Sequence, residues 1–173
     1  YSRDYERAMA RIEDAPEEVL RVQDFLYPRA LLRAHVQTVA GRPDLARSSW
    51  EEARRILEEE VRRNPGDSMA HSSLGVAYAG LGRKADAVRE GQRALDIENT
   101  NRDAFIRDNH LIHLAWIYVL TGDREAAIRE IESLTRQPSL LTVPLLRVDP
   151  RWDLLRGDPR FQRLLTAAPA SQT

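Results

Sequence analysis

Residues 73–95 read SLGVAYAGLGRKADAVREGQRAL, and residues 113–134, HLAWIYVLTGDREAAIREIESL, repeat their pattern. Three pairs of residues keep the same order in the two stretches: Tyr78 with Tyr118, Gly82 with Gly122, and Ala87 with Ala127. The members of each pair are 40 residues apart. Internal repetition at such a period indicates an array of stacked structural units.

The spacing within the first stretch predicts a pair of helices. Gly75 follows Leu74 and leaves room for a neighbouring helix to approach closely. Gly82 supplies the left-handed turn that ends the first helix, because glycine adopts positive φ angles without steric cost. Ala87 is the small residue at which the two helices cross. Such a unit cannot bury its apolar face alone, so it must stack on neighbouring units.

In this order of residues the chain resembles the tetratricopeptide repeat family. The first copy matches at Leu74, Gly75, Tyr78, Gly82, Ala87 and Ala94, and the second at Leu114, Ala115, Tyr118, Gly122, Ala127, Ile131 and Leu134. The chain departs from the pattern at Gly91, where the family has a large apolar residue, and at Asn99 and Pro138, which are near the usual proline. The family period is about 34 residues, so we expect an insertion, placed in the polar and turn-rich stretch 98–105.

The resemblance implies an all-α fold, a right-handed superhelical stack of antiparallel helix pairs (an α-solenoid) with C-terminal capping helices. We expect five segments: 1–20, the second helix of a truncated repeat; 21–67, an atypical unit with an extended second helix; 68–101 and 102–138, two repeat units; and 139–173, a cap and tail. The extended helix of the atypical unit begins near Pro43, with one apolar stripe formed by Leu45, Trp50, Ala53, Leu57 and Val61. Since the chain begins without Met, we expect it to be cut from a longer array.

Composition excludes several classes of function. The net charge is −1, so no overall field attracts polyanions. The chain has no cysteine, which excludes disulfides, thiolate metal sites and a cysteine nucleophile. The sequence shows no apolar run of about 20 residues and no signal peptide, so we expect a cytoplasmic protein.

No motif in the sequence predicts catalysis or a bound cofactor. A Gly-rich phosphate loop and a Gly-x-Ser-x-Gly elbow are both missing from the sequence. His110 and His113 have a spacing that metal ligands use, but no third ligand pattern accompanies them. We therefore expect no enzyme, no cofactor and no metal, with one of these histidines packed between helices and the other facing water.

The resemblance also implies a concave groove lined by the first helix of each unit. Its expected lining is Met69, Ser72, Val76 and Ala79 in one unit and Asn109, Ile112, His113, Trp116 and Val119 in the next. One subclass of the family holds a peptide C-terminal carboxylate with Lys, Asn and Arg at such positions. Here Asn109 and His113 stand where Lys and Arg would be needed, so we expect no such carboxylate clamp. Trp116 is either an anchor for a bound segment or a core residue covered by the chain's own tail, and we favour the core interpretation.

The tail contains the triplet Asp-Pro-Arg twice, in DPRWDLLRGDPRFQRLL at 149–165. Asp149 and Asp158 have the character of helix N-caps, each followed by proline at the first helical position. Trp152 and Phe161 then cover the open end of the array, while the arginines remain surface charge. Residues 142–165 also resemble the stretch that follows such repeats in large bacterial signalling proteins linked to a kinase, a cyclase or a winged-helix domain.

These features predict a non-catalytic protein–protein interaction scaffold in a larger bacterial signalling protein, binding a peptide or partner domain in its groove. An alternative is nucleic-acid or nucleotide binding through the arginines of the tail, at 147, 151, 156, 160 and 163. Interleaved aspartates argue against that alternative. A third possibility is self-association through an uncovered apolar face around Met9 and Ile12.

Overall fold

Helices dominate the part of the chain that the computed structural model describes, which comprises residues 4–22, 25–101 and 103–166. The α-helices are α1 (Tyr5–Glu13), α2 (Arg29–Val39), α3 (Pro43–Arg63), α4 (Ser68–Gly80), α5 (Lys84–Asn101), α6 (Ala104–Leu120), α7 (Arg124–Thr135), α8 (Val143–Val148) and α9 (Pro159–Thr166). A 3₁₀ helix at Pro150–Leu155 lies between α8 and α9. Two short strands, β1 (Val19–Val22) and β2 (Phe25–Pro28), pair in antiparallel fashion with Val19 opposite Pro28.

The helices pack in sequential pairs, α2 with α3, α4 with α5, and α6 with α7. Neighbouring pairs stack through α3 on α4 and through α6 on both α4 and α5. This arrangement confirms the predicted helical solenoid. The β1–β2 ribbon is an addition that the sequence pattern did not indicate, and it packs on α2, α3 and α4.

Glycine ends the first helix of each pair in the left-handed conformation. The φ angles of Gly41, Gly82 and Gly122 are +69°, +77° and +77°. An L-residue with a Cβ is strained in this region of backbone space, whereas glycine is not. The turn predicted at Gly82 is therefore confirmed, and Gly41 and Gly122 end their helices in the same way.

Gly75 marks the closest approach between helices. A Cβ atom at this position would lie 2.8 Å from Cδ1 of Ile117 and 2.9 Å from the carbonyl oxygen of Ala87. Gly91, where the family pattern has a large residue, faces the same neighbour, since its Cβ would lie 3.0 Å from Cδ1 of Ile117. Ile117 thus fills the space that a larger residue at 91 would need.

Two details of the sequence analysis are wrong. The insertion was expected to form a turn-rich connection within 98–105, but α5 continues to Asn101, so the additional residues lengthen the helix. Leu45 was expected in the buried stripe of α3, but it is 53% exposed and Ala46 takes the buried position. Trp50, Ala53 and Leu57 are buried as predicted.

The C-terminal segments cover the end of the array. Asp149 accepts a hydrogen bond from the backbone N–H of Arg151, and Asp158 accepts one from that of Arg160, as predicted for two helix starts. The first of these segments forms the 3₁₀ helix against α6, and the second forms α9 against α7. Their fully buried side chains are Trp152, Leu155 and Phe161.

Replacing Gly75 with alanine should destabilise the protein by about 1–2 kcal/mol. The added methyl group would collide with Ile117 and with backbone, and this overpacking outweighs the gain in helix propensity. Gly66→Ala is the control, because the nearest atom to its Cβ would be 3.6 Å away, and it should change stability by less than about 0.5 kcal/mol. Urea denaturation measures both, and equal effects of the two substitutions would contradict the close-approach explanation.

Candidate binding site on the concave face

The residues predicted to line the groove lie on α4 and α6, but most of them are buried beneath other segments of the chain. Met69 is partly buried. The other eight are buried: Ser72, Val76, Ala79, Asn109, Ile112, His113, Trp116 and Val119. The cover comes from β2, α2 and the 3₁₀ helix, so the chain itself occupies much of its concave face.

Hydrogen bonds from buried polar side chains hold β2 against α4 and α6. Nδ1 of His113 lies 2.8 Å from the hydroxyl of Ser72, and its Nε2 is hydrogen-bonded to the hydroxyl of Tyr27. A neutral imidazole has one donor and one acceptor nitrogen, so the two hydroxyls take complementary roles. The hydroxyl of Ser73 donates to the carbonyl oxygen of Leu26 at 2.6 Å. The serine–histidine pair has no exposed surface for substrate, so it is structural.

Both histidines of α6 are buried and neutral. Burial, together with the charge of Arg151, lowers the pKa of His113 to about 3. Burial likewise lowers the pKa of His110 to about 4. The expectation that one of the two faces water is therefore wrong.

Trp116 lies at the centre of an aromatic cluster. Its ring centroid is 4.6 Å from that of His35 and 6.5 Å from that of Trp50. The guanidinium of Arg151, in the 3₁₀ helix, lies 5.7 Å from the indole centroid. These contacts correspond to the core interpretation of Trp116, with α2 supplying cover in addition to the tail.

One part of the concave face remains open as a cavity of about 450 Å³, which we call the cleft. It is bounded by β2, α2, α6 and the tail, and its lining residues are Tyr27, Leu31, Leu32, His35, Phe105, Asn109, Ile112, Trp116, Leu140, Leu141, Leu145 and Arg151. Phe105 and Leu145 are 48% and 45% exposed and border the opening. Three residues of the predicted groove, Asn109, Ile112 and Trp116, thus line an open site.

Three polar groups interrupt the apolar lining of the cleft. Asn109 is only 5% exposed, and its Nδ2 has no hydrogen-bond partner in the described part of the chain. Nε2 of His35 is also buried and unpartnered among these residues. The guanidinium of Arg151 is 25% exposed and lies 2.6 Å from the carboxylate of Asp149.

The sequence analysis missed His35, Tyr27 and Arg151 as site residues. Arg151 was classed with the other tail arginines as surface charge, which is wrong, because it packs over Trp116 and Trp152. The proline that follows Asp149 indicated a helix start. Nothing in the sequence indicated that the side chain of the next residue, Arg151, would pack on Trp116.

Burial and the charge of Arg151 both affect the titrating groups beside the cleft. Burial lowers the pKa of His35 to about 4, and Arg151 adds to this shift more than Asp149 opposes it. Burial raises the pKa of Tyr27 to about 12, and here too the effect of Arg151 exceeds that of Asp149. Both neighbouring groups therefore experience a net positive potential.

Three of the other arginines of the tail are engaged locally. Arg147 donates to the carbonyl oxygen of Leu165, and Arg156 lies 2.6 Å from the carboxylate of Asp153. Arg160 pairs with Asp158 at 3.2 Å. The pairing of Arg156 and Arg160 with carboxylates gives the nucleic-acid alternative no support, since binding to phosphates depends on cations that can replace counterions.

Among residues 4–22, 25–101 and 103–166, no three His, Asp or Glu side chains come together as a metal site. In the same residues, none of the helices combines the length and hydropathy that crossing a membrane requires.

Stacked helix pairs, left-handed glycine turns and a concave face with an open cleft define a helical-repeat protein. The tetratricopeptide repeat family model matches residues 68–90 and 109–133, which correspond to α4–α5 and α6–α7. These matches support a tetratricopeptide-repeat protein, and repeats of this family generally mediate protein–protein interactions. Comparisons with curated proteins and with solved structures gave no match.

The buried histidines predict that stability falls between pH 7 and pH 5. The unfolded chain takes up protons below pH 6.5, while His110 and His113 in the folded chain remain neutral down to pH values of about 4 and 3. Each should reduce the free energy of unfolding at pH 5 by about 2 kcal/mol.

The matched variant is His110→Asn, which removes one titrating group whose Nε2 has no hydrogen-bond partner in the described residues. Urea denaturation at pH 7 and pH 5 should show a decrease that is smaller by about 2 kcal/mol in the variant. An identical decrease in both proteins would contradict the assignment of His110 as buried and neutral.

Proposed function

We propose that this chain is a non-catalytic scaffold that binds a peptide segment or partner domain of another protein at the cleft. The observation that carries the proposal is an open cavity of about 450 Å³ with largely apolar walls. Clefts of roughly 300–1,000 Å³ with apolar walls and a few polar groups are typical binding sites.

Exposed apolar side chains at the opening favour a macromolecular partner. Phe105 is at the start of α6 and Leu145 is in α8, so separate parts of the chain contribute to one apolar border. Aromatic and aliphatic anchors of this kind supply most of the binding energy in protein interfaces. The two matched repeats agree with this role, because repeats of this family generally mediate protein–protein interactions.

The resemblance of residues 142–165 to the tails of bacterial signalling proteins supports a wider role. In this proposal the scaffold is the regulatory or partner-binding region of a larger bacterial signalling protein. The same residues form the cap, and five of them line two cavities on the concave face: Leu145, Pro150, Arg151, Asp153 and Leu154.

Self-association through α1 is a second proposal that rests on a separate observation. Helix α1 packs on α2 but has no fully buried residue, and Met9 and Ile12 on its apolar face are partly exposed. Sedimentation equilibrium of the protein tests it, and a monomer at high micromolar concentration would contradict it.

Partner binding at the cleft can be tested with peptides selected from a random library displayed on phage. Peptides that bind the purified protein should lose affinity by about tenfold or more when Leu145 is changed to Glu, because an apolar contact is replaced by a charge. Isothermal titration calorimetry measures the affinity of each selected peptide.

Leu45→Glu is the matched control, since Leu45 is similarly exposed but does not line the cleft. It should leave peptide affinity within about twofold of the original. Failure to enrich any peptide, or an equal loss of affinity in both variants, would refute the cleft as the partner site.

A further inference from the structure

The tail wall of the cleft is formed in part by a connection that has no regular secondary structure. Helix α7 ends at Thr135 and α8 begins at Val143, and the residues between them form neither helix nor strand. Two of them, Leu140 and Leu141, nevertheless line the cleft. Because no helical or strand hydrogen bonds fix this connection, other contacts must determine where its two leucines lie.

A single carboxylate of α6 holds this connection. Oδ2 of Asp108 accepts a hydrogen bond from the hydroxyl of Ser139 at 3.0 Å and one from the backbone N–H of Leu140 at 2.7 Å. The hydroxyl oxygen of Ser139 accepts in turn from the backbone N–H of Leu141 at 3.0 Å. Hydrogen bonds to an ionised carboxylate are roughly twice as strong as neutral ones. Asp108 therefore fixes three consecutive residues, directly or through Ser139.

The apolar contacts of the connection do not replace these hydrogen bonds. Leu141 is 3% exposed and belongs to the core, whereas Leu140 is only partly buried. Burial of apolar surface holds such side chains against the protein, but it is non-directional and leaves their orientation open. The hydrogen bonds to Asp108 are directional, so they select one position of the backbone and thus one shape of the wall.

Asp108 also connects two walls of the cleft. It directly precedes Asn109 in α6. Phe105 and Ile112 of the same helix, like Asn109, line the cleft. The distance between the α6 wall and the tail wall is therefore set by hydrogen bonds that run from one wall to the other. Most residues of both walls are apolar, so the group that fits between them is an apolar side chain.

We propose that Asp108 is the positioning residue of the cleft, because it sets the gap between α6 and Leu140–Leu141 into which an apolar side chain of the protein partner inserts. The proposal rests on the proposed function, since it concerns the same cleft and the same partner. Asp108 acts through Leu140 and Leu141 and does not itself line the cleft. Its loss should weaken partner binding while the helix pairs remain folded.

Asp108→Leu and Asp108→Asn form a matched pair of variants. Leucine is close to aspartate in shape but accepts no hydrogen bond, whereas the amide oxygen of asparagine can accept both bonds made by Oδ2. In calorimetric titrations, the selected peptides should bind Asp108→Leu about tenfold or more weakly, and Asp108→Asn within about threefold of the original affinity. An equal loss in both variants would assign the effect to charge and overturn the proposal. Unchanged affinity in Asp108→Leu would overturn it as well.

Amide hydrogen exchange separates a local role of Asp108 from a general loss of stability. The backbone N–H of Leu140 should exchange about tenfold or more faster in Asp108→Leu than in the original protein. Ala115, a buried residue of α6, should exchange at an unchanged rate. NMR spectroscopy measures both rates. Equal acceleration at both residues would mean that the substitution destabilises the helix array, and the positioning role would be wrong.

Ser139→Ala provides a variant outside α6, which decides the question if Asp108→Leu fails to fold. It removes the hydroxyl that links Asp108 to Leu141 and should weaken peptide binding by about fivefold, the effect of about one hydrogen bond. Ser133→Ala is the matched control, because Ser133 is an exposed residue of α7 that does not line the cleft. Equal affinities of these two variants would contradict the proposal.

Failure of this proposal can be told apart from failure of the proposed function. If no peptide is enriched, or if Leu145→Glu and Leu45→Glu lose affinity equally, the cleft is not the partner site and both proposals are overturned. If Leu145→Glu alone weakens binding and Asp108→Leu does not, the partner site stands and only the role of Asp108 is overturned.

Discussion

The imidazole of His113 joins two hydroxyl groups that are far apart in sequence, Tyr27 in β2 and Ser72 in α4. Ser72 and His113 are buried and Tyr27 is partly buried beside the cleft, and a buried polar group left unpaired costs about 1–3 kcal/mol. The two hydrogen bonds of His113 therefore hold the β1–β2 ribbon against α4 and α6. That position in turn decides which part of the concave face a partner can reach.

With the ribbon in place, the first helices of the repeats no longer form a continuous groove. The ring of Tyr27 packs on that of His113. His35 from α2 and Arg151 from the tail pack on the indole of Trp116. The remaining space is the cleft, whose walls come from segments separated by more than 100 residues of sequence, from Tyr27 to Arg151. A partner site of this kind is specific to this chain and is not a general property of stacked helix pairs.

The repeats could be predicted because their determinants are local. Gly75, Gly82 and Ala87 act within one helix pair, where each small residue has a defined steric purpose. The ribbon could not be predicted, because its strands are four residues each and depend on hydrogen bonds to distant helices. The expectation that one of His110 and His113 faces water failed for the same reason, since β2 covers α6 at His113.

Arg151 and Arg160 show where the information in a local motif ends. Both follow Asp-Pro, both donate a backbone N–H to the preceding aspartate, and both precede a fully buried aromatic residue. The local sequence therefore produces the same helix start twice. Yet the side chain of Arg160 is 41% exposed beside Asp158, whereas Arg151 lies over Trp116 on the wall of the cleft. The difference comes from the neighbouring helix, since the 3₁₀ helix packs on α6 and α9 packs on α7. The Asp-Pro-Arg motif therefore determines a helix start, and the tertiary contacts of that helix determine whether its arginine becomes part of the cleft.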